Sequence, residues 1–229
     1  MVDLTVFTCV MGGFESLDKA ASGAPIRSEG IRFVIITDHQ RGGVIQGKNG
    51  AWEIMNPIWE HPDSPRRTAR FHKINAHLIF PDTECSIWID GSQEFKPVDP
   101  RIILREALHP HDLAAFFHPD RQCAYQEGEA CKRFLKDDPG LIDRQMDRYK
   151  FEGYPINNGL VETTCVCRRH TATTAKFNEV WWKEIETGSV RDQLSFNYAA
   201  WKTDIQYGYV PGHRDRSPYF VFHTHKVRR

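Results

Sequence analysis

Glu84-Cys85-Ser86-Ile87-Trp88-Ile89-Asp90-Gly91-Ser92 is a short apolar run that stops at a carboxylate followed by a glycine. The run Ile87-Trp88-Ile89 is β-branched and aromatic without polar interruption, which suits a strand buried on both faces in the middle of an α/β sheet. Sheets of that kind bind ligands beyond the carboxyl ends of their strands. Asp90 then sits at a cleft rim, where its oxygens can hold a hard cation such as Mn²⁺ or Mg²⁺. Asp-Gly is also the commonest tight-turn dipeptide, and these residues alone favour the turn.

The rest of the chain is compatible with one such sheet. Its 229 residues, 40% of them hydrophobic, can bury one sizeable core, and we expect one domain over residues 1–229. Thirty basic and thirty acidic residues cancel, so no global field draws the protein to nucleic acid or an acidic membrane. Any anion site must be local. No window approaches the roughly 18 apolar residues of a membrane span, and the amino terminus has no basic flank. The expectation is a soluble, cytoplasmic protein without a transmembrane segment. Six cysteines without Cys-x-x-Cys spacing fit reduced thiols.

Upstream of the Asp90 strand, Leu4 to Val10 reads as a first strand, broken by Gly12-Gly13, whose freedom lets backbone amides approach a ligand. Ile31 to Thr37 is a second strand ending at Asp38, a position that hydrogen-bonds ribose in α/β nucleotide folds or caps a helix. Residues 40–50 read as a mobile loop. Ser64-Pro65 then opens a helix. On a 100° wheel Arg66, Arg70, Lys73 and His77 share one arc beside the apolar stripe of Phe71, Ile74 and Leu78. The basic arc beside the buried face reads as a phosphate-facing stripe, or as a solvated face.

Downstream, the pattern gives a helix over 102–108, a strand over 113–117 and helices over 129–135 and 142–149. His109, His111 and His118 lack helical ligand spacing and cysteine pairs, which argues against structural zinc. Asn157-Asn158-Gly159 enters a strand over 161–166; its amides either meet sugar hydroxyls or tolerate left-handed backbone. A helix over 173–185 follows. Ser189 to Asp192 approximates a capping box for the next helix, whose inner face carries Leu194, Asn197, Tyr198 and Trp201. The last strand, 219–222, is expected to run beside the central one and so deliver His223-Thr224-His225-Lys226 to the same rim. Alternating strands and helices make the sheet mostly parallel.

With those pieces laid out, the chain resembles the glycosyltransferase-like domain formerly listed as domain of unknown function 616, which is similar to the glycogenin-like family-eight transferases. The resemblance rests on Gly12-Gly13-Phe14, the Arg66/Arg70/Lys73 helix, Ser86 to Gly91, His118-Pro119 through Arg121 and Cys123, Arg168-Arg169-His170, and Arg191 to Phe196. It implies a GT-A-like (Rossmann-like) α/β fold, a mostly parallel central sheet flanked by helices. It also implies metal-assisted, retaining transfer from a nucleotide-diphosphate sugar to a glycan or other hydroxyl acceptor, as in polysaccharide biosynthesis. In that pattern Mn²⁺ or Mg²⁺ is held by an Asp-x-Asp motif and a late histidine. Here the implied ligands are Asp90, Ser92 in place of the second aspartate, and His223 or His225. The donor is implied to meet Val10, Gly13, Asp38, Arg66, Arg70, Lys73, Asn158, Gly159 and Lys226. Asp192-Gln193 matches the acceptor-side motif, and Asp192 is the carboxylate given to the oxocarbenium-like sugar. A non-catalytic nucleotide-sugar-binding relative and a nucleotide-sugar hydrolase are the competing readings.

Overall fold

The computed structural model describes residues 2–13, 16–23, 25–39, 42–47 and 50–223. In chain order the strands are β1 (Val2–Val10), β2 (Ile31–Thr37), β3 (Val44–Gly47), β4 (Gly50–Met55), β5 (Thr83–Ile89), β6 (Gln93–Phe95), β7 (Leu113–Phe117), β8 (Val161–Arg169), β9 (Gly208–Val210) and β10 (Phe220–Phe222). The helices are α1 (Leu17–Ala20), α2 (Pro65–Ile74), α3 (Ala76–Ile79), α4 (Pro100–Leu108), α5 (Ala124–Arg133), α6 (Pro139–Phe151), α7 (Ala172–Thr187) and α8 (Gln193–Thr203). One sheet has the order β3-β4-β2-β1-β5-β8-β7-β9. In it β1, β2, β4, β5, β7 and β9 run one way, and β3 and β8 run against them. This is the mostly parallel, helix-flanked sheet expected of a GT-A-like chain, and the Ile87-Trp88-Ile89 strand lies inside it, between β1 and β8.

Strand alternation divides the core between the two faces. Val6, Ile35, Ile87 and Phe116 pack on one face with Ile103 and Leu108 of α4. Phe7, Val34, Trp88 and Val166 pack on the other with Ile74 of α2, Phe177 and Trp181 of α7, and Phe196 of α8. Register places Phe7 beside Trp88, and their rings meet edge to face at 5.3 Å. Trp88 and Asp90, two residues apart, therefore share the face that α2 covers. A third cluster, with Tyr149 stacked on Tyr198 at 3.7 Å, joins α5 and α6 to α8.

Four local readings are corrected. Residues 44–47 are not loop but strand β3, paired antiparallel with β4. The basic helix stops at Asn75, whose side-chain amide donates to the Phe71 carbonyl at 3.1 Å, so His77 belongs to α3 and Leu78 is exposed. Ser189 does not cap α8: its hydroxyl goes to Asp137 Oδ2 at 2.6 Å, and Asp192 occupies the cap position without a side-chain cap bond. The last strand pairs not with the central strand but with β6, in a separate two-stranded sheet.

Arg168 fixes the end of α2 from within the core. It is fully buried, and its Nη1 donates to the carbonyls of Lys73 and Ile74, both at 2.8 Å. Burial pulls its pKa down to about 10. Those carbonyls belong to the last turn of a helix, where no intrahelical donor remains. Replacing Arg168 by alanine should cost about 2–4 kcal/mol in urea denaturation, since it orphans both carbonyls and leaves a cavity. A loss below about 1 kcal/mol would mean that the helix end finds other donors.

Candidate functional site

The carboxyl ends of β1 and β5 open onto a cleft of about 650 Å³, walled by Val10 and Gly12 on one side, Asp90 to Ser92 on the floor, and Arg66, Arg70 and Arg191 above. Ser64 caps α2 by accepting from Arg67 N at 3.2 Å, with Pro65 at the first helical position. Spacing of four and three residues then brings Arg66, Arg70 and Lys73 down one stripe. The last of them does not reach the open cleft. Lys73 is 0% exposed, with its ammonium 2.6 Å from Asp192 Oδ2 and 3.3 Å from Asp90 Oδ1. Asp90 Oδ1 also accepts from the Trp88 indole at 2.7 Å. Asp192 is closed off by Thr163, whose hydroxyl donates at 2.8 Å, and by Arg70 at 3.3 Å. Burial alone raises the Asp192 carboxyl, but Arg70, then Lys73 and Arg191, outweigh it and hold it well below the usual carboxylate range.

Beside the cleft lies a second chamber of about 190 Å³, sharing Phe134, Lys136 and Arg191 with it. It contains Gln193 and a carboxylate the sequence reading passed over, Glu162. An irregularity between β7 and β8 aims Glu162 there: Ala115 pairs with Val166 but Phe116 with Glu162, so the intervening residues bulge. The only local mark of Glu162 is that it is the single carboxylate of β8, a strand that also carries Thr163, Thr164, Arg168 and Arg169. Arg214 and the Phe134-Leu135-Lys136 lip were missed too, and no local pattern marks them.

Residues 2–211 match the family model for the TOD1/MUCI70 glycosyltransferase-like domain. The chain belongs to that family. Two relatives of the TOD1/MUCI70 domain come from Arabidopsis thaliana. The probable hexosyltransferase MUCI70 is 28% identical over 213 residues, covering 85% of this chain and 36% of that protein. The alkaline ceramidase TOD1 is 26% identical over 163 residues, covering 65% and 35%. The chain thus spans about a third of the length of these relatives. Two solved structures resemble it at 9% identity. A glycosyltransferase involved in glycosylation of the major capsid of PBCV-1 has a TM-score of 0.47, covering 96% of this chain and 93% of its own. The apo form of mouse xyloside xylosyltransferase 1 has a TM-score of 0.48, covering 87% and 81%. Both likenesses are too loose to bear on function.

Within this TOD1/MUCI70 domain the expected site residues separate into groups. Val10, Arg66, Arg70, Asp90 and Ser92 line the cleft, and Gln193 lines the second chamber. Asp38 and Gly13 stand at the rim: the Asp38 carboxylate accepts from Gly12 N at 3.0 Å, and Gly13 N donates to His39 Nε2 at 2.8 Å. A Cβ on Gly12 would meet Pro65 at 2.9 Å, so close packing of this turn on α2 requires glycine. Asp192 and Lys73 lie behind the wall rather than on it. Asn158 is exposed and lines neither chamber; Gly159, with φ +79°, packs towards Tyr207 and Asn197 instead. The family-pattern asparagine and glycine are here turn residues beside α8.

For a divalent cation, the described residues offer little beyond Asp90 and Ser92. His223 comes to the same rim, its N–H donating to the Ser92 carbonyl at 2.8 Å, but its imidazole is held by Glu94 at 2.7 Å. Among the described residues no three His, Cys, Asp or Glu side chains gather as a metal cluster. His225 and Lys226 lie outside the described residues. One carboxylate and a hydroxyl fit a cation that completes its shell with water and substrate phosphate, as Mg²⁺ commonly does. No helix among the described residues is long and apolar enough to cross a membrane.

The buried ion pair makes a stability prediction. Because the folded Asp192 pKa is depressed, its contribution is present above the unfolded value of about 3.9 and is lost as pH falls towards the folded one. Denaturation midpoints should drop below about pH 4 in the native protein and drop less in Asp192→Asn. At pH 7, Lys73→Met should cost about 3–5 kcal/mol by stranding a buried carboxylate, and Lys73→Met/Asp192→Asn should recover much of it. Simple addition of the two losses would show that the charges do not depend on each other.

Proposed function

We propose that this domain transfers a sugar from a nucleotide-diphosphate donor to a hydroxyl acceptor, with retention at the sugar carbon. The reading is carried by one observation: three guanidinium groups, Arg66, Arg70 and Arg191, share with Asp90 a cleft at the carboxyl ends of two adjacent parallel strands. That is where open α/β sheets take nucleotides. The nucleoside lies against Val10 and the Gly12-Gly13 turn, near Asp38, and the diphosphate under the arginines.

When the bond from the sugar C1 to the diphosphate breaks, its electron pair stays on the β-phosphate oxygen. The acceptor oxygen then bonds C1, and its proton passes to the released phosphate. Arg66, Arg70 and Arg191 stabilise the charge that develops, and they are already oriented before it appears. Lys73 acts from behind, fixing Asp90 and Asp192 so that Arg70 and the floor of the cleft keep their places. Asp90 and Ser92 are the residues that would hold a divalent cation, which would supply additional positive charge at the leaving group.

Calorimetric titration with uridine and guanosine diphosphates in Mn²⁺ tests the site. Arg70→Ala should weaken nucleotide binding by about 1–3 kcal/mol, and Asp90→Asn should remove the Mn²⁺ dependence. Turnover with a panel of uridine and guanosine diphosphate sugars should require an added hydroxyl acceptor. Release of free sugar without acceptor would make the domain a hydrolase, and binding without turnover a non-catalytic relative. Absence of nucleotide binding, with cleavage of an N-acylsphingosine instead, would replace this reading by the activity named for TOD1.

A further inference from the structure

Glu162 has one satisfied oxygen and one that is not. Its side chain is 3% exposed, and Oε1 is held by Arg214 Nη1 at 2.5 Å. Oε2 is buried and has no hydrogen-bond partner among the described residues. Burial of a carboxylate oxygen without a donor is costly, and native proteins keep such groups where a ligand, ion or water completes them. Here the carboxylate belongs to the wall of the second chamber, whose other polar residues include His118, Arg121, Glu127, Arg191 and Gln193.

The chemistry of that wall discriminates between ligands. Arg121 is paired with Glu127 at 2.6 Å and Arg214 with Glu162, so the two cations nearest these carboxylates are neutralised, while Arg191 and Lys136 also line the chamber. A phosphate placed against Glu162 would meet the lone pairs of a buried carboxylate oxygen, with Arg121 and Arg214 already paired. A sugar hydroxyl both donates and accepts, so it can donate to Glu162 Oε2 and accept from a guanidinium or the Gln193 amide. Phe134, 63% exposed, stands between the chamber and the cleft and offers an apolar face to ring C–H groups. At about 30 Å³ per liquid water, a 190 Å³ chamber holds about six water volumes, comparable with the ring and hydroxyls of one pyranose.

We propose that the second chamber is a hexose subsite adjoining the nucleotide cleft, and that Glu162 Oε2 accepts a hydrogen bond from a ring hydroxyl of the sugar held there. This rests on the transferase reading above and adds to it a residue that selects among sugars. Burial pushes the Glu162 carboxyl up to about 7 against the opposing effect of Arg214, with Asp215, Asp90 and Glu127 adding to the rise. A group so poorly solvated gains from a donor hydroxyl more than a solvated carboxylate does. The sugar can be the one carried by the donor or the one that receives it.

The test compares native protein, Glu162→Ala and Glu162→Gln, each with Mn²⁺. Affinities are measured for uridine and guanosine diphosphate and for their glucose, galactose and mannose conjugates. Initial rates are measured against free glucose, galactose, mannose and xylose as acceptors. If the donor sugar occupies the chamber, the preference of the native protein for a conjugate over its bare nucleotide should fall about tenfold or more in Glu162→Ala. Bare nucleotide affinity should stay within about twofold, which also certifies the fold. If the acceptor occupies it, conjugate binding should stay and the acceptor KM should rise by a similar factor. Glu162→Gln, which keeps an acceptor oxygen, should fall between native and alanine in whichever arm responds. Unchanged behaviour in both arms with normal nucleotide affinity overturns this inference alone. Equal loss of bare and conjugated nucleotide makes Glu162 structural and overturns it too. Failure of the native protein to bind any nucleotide overturns the transferase reading together with it.

Discussion

The Lys73 ammonium, with no exposure to water, is the constraint on which the site depends. It sits between Asp192 at 2.6 Å and Asp90 at 3.3 Å, and so joins α2, the end of β5 and the start of α8. A buried charge tolerates little displacement from its partners, because desolvation has been incurred and only close pairing offsets it. Three elements far apart in sequence are thereby held in one register at the mouth of the cleft. Hydrophobic packing is less directional and would allow α2 to slide by fractions of an ångström on the sheet. The ion pair makes such sliding expensive, and the arginines on the same helix inherit that precision.

The surroundings complete this arrangement without spending solvent-exposed groups on it. Trp88 belongs to the core through Phe7 yet turns its indole N–H to Asp90, so the same side chain packs the sheet and orients the carboxylate. Thr163 does the same for Asp192 from the bulged part of β8. Arg168 anchors the last turn of α2 directly beneath Lys73. The open cleft is left with groups that have spare capacity: the arginines above, and Asp90 with Ser92 below.

Which parts of this were legible in the sequence follows from range. The central strand was readable because Ile87-Trp88-Ile89 has a composition that only a doubly covered strand tolerates. The basic stripe was readable because residues four and three apart must share a helix face whatever the tertiary fold does. For Asp192 the local spacing indicates only its place at the start of α8, whereas the partners of its side chain lie 119 and 29 positions away, at Lys73 and Thr163. Asn158-Gly159 leaves two readings open for the complementary reason, since a turn-forming pair looks alike whether it faces ligand or solvent. Glu162 was invisible because its direction depends on a register shift between β7 and β8, and no periodicity in either strand encodes it. The coarse sheet was therefore local information; the inner half of the site was pairing information.

The lip between the two chambers shows how the fold keeps them distinct. Helix α5 ends with Lys136 N bonded to the Cys131 carbonyl and Leu135 N to the Lys132 carbonyl, a paired closure that needs a left-handed residue at position 135. That residue is leucine, with φ +49°, where glycine would avoid a cost of about 1–2 kcal/mol. Its side chain is 79% exposed, so no core contact offsets the strain. Beyond it, Asp137 accepts from Ser189 Oγ at 2.6 Å and Val190 N at 2.8 Å, which clamps the segment against the approach to Arg191. Arg66 reaches across from α2 to the Lys136 carbonyl. A lip fastened on both sides yet strained at its tip is a placement of apolar surface, Phe134 and Leu135, at the cleft mouth. Strain of this kind persists where the surrounding bonds over-determine it, and it belongs to sites where backbone position matters more than stability.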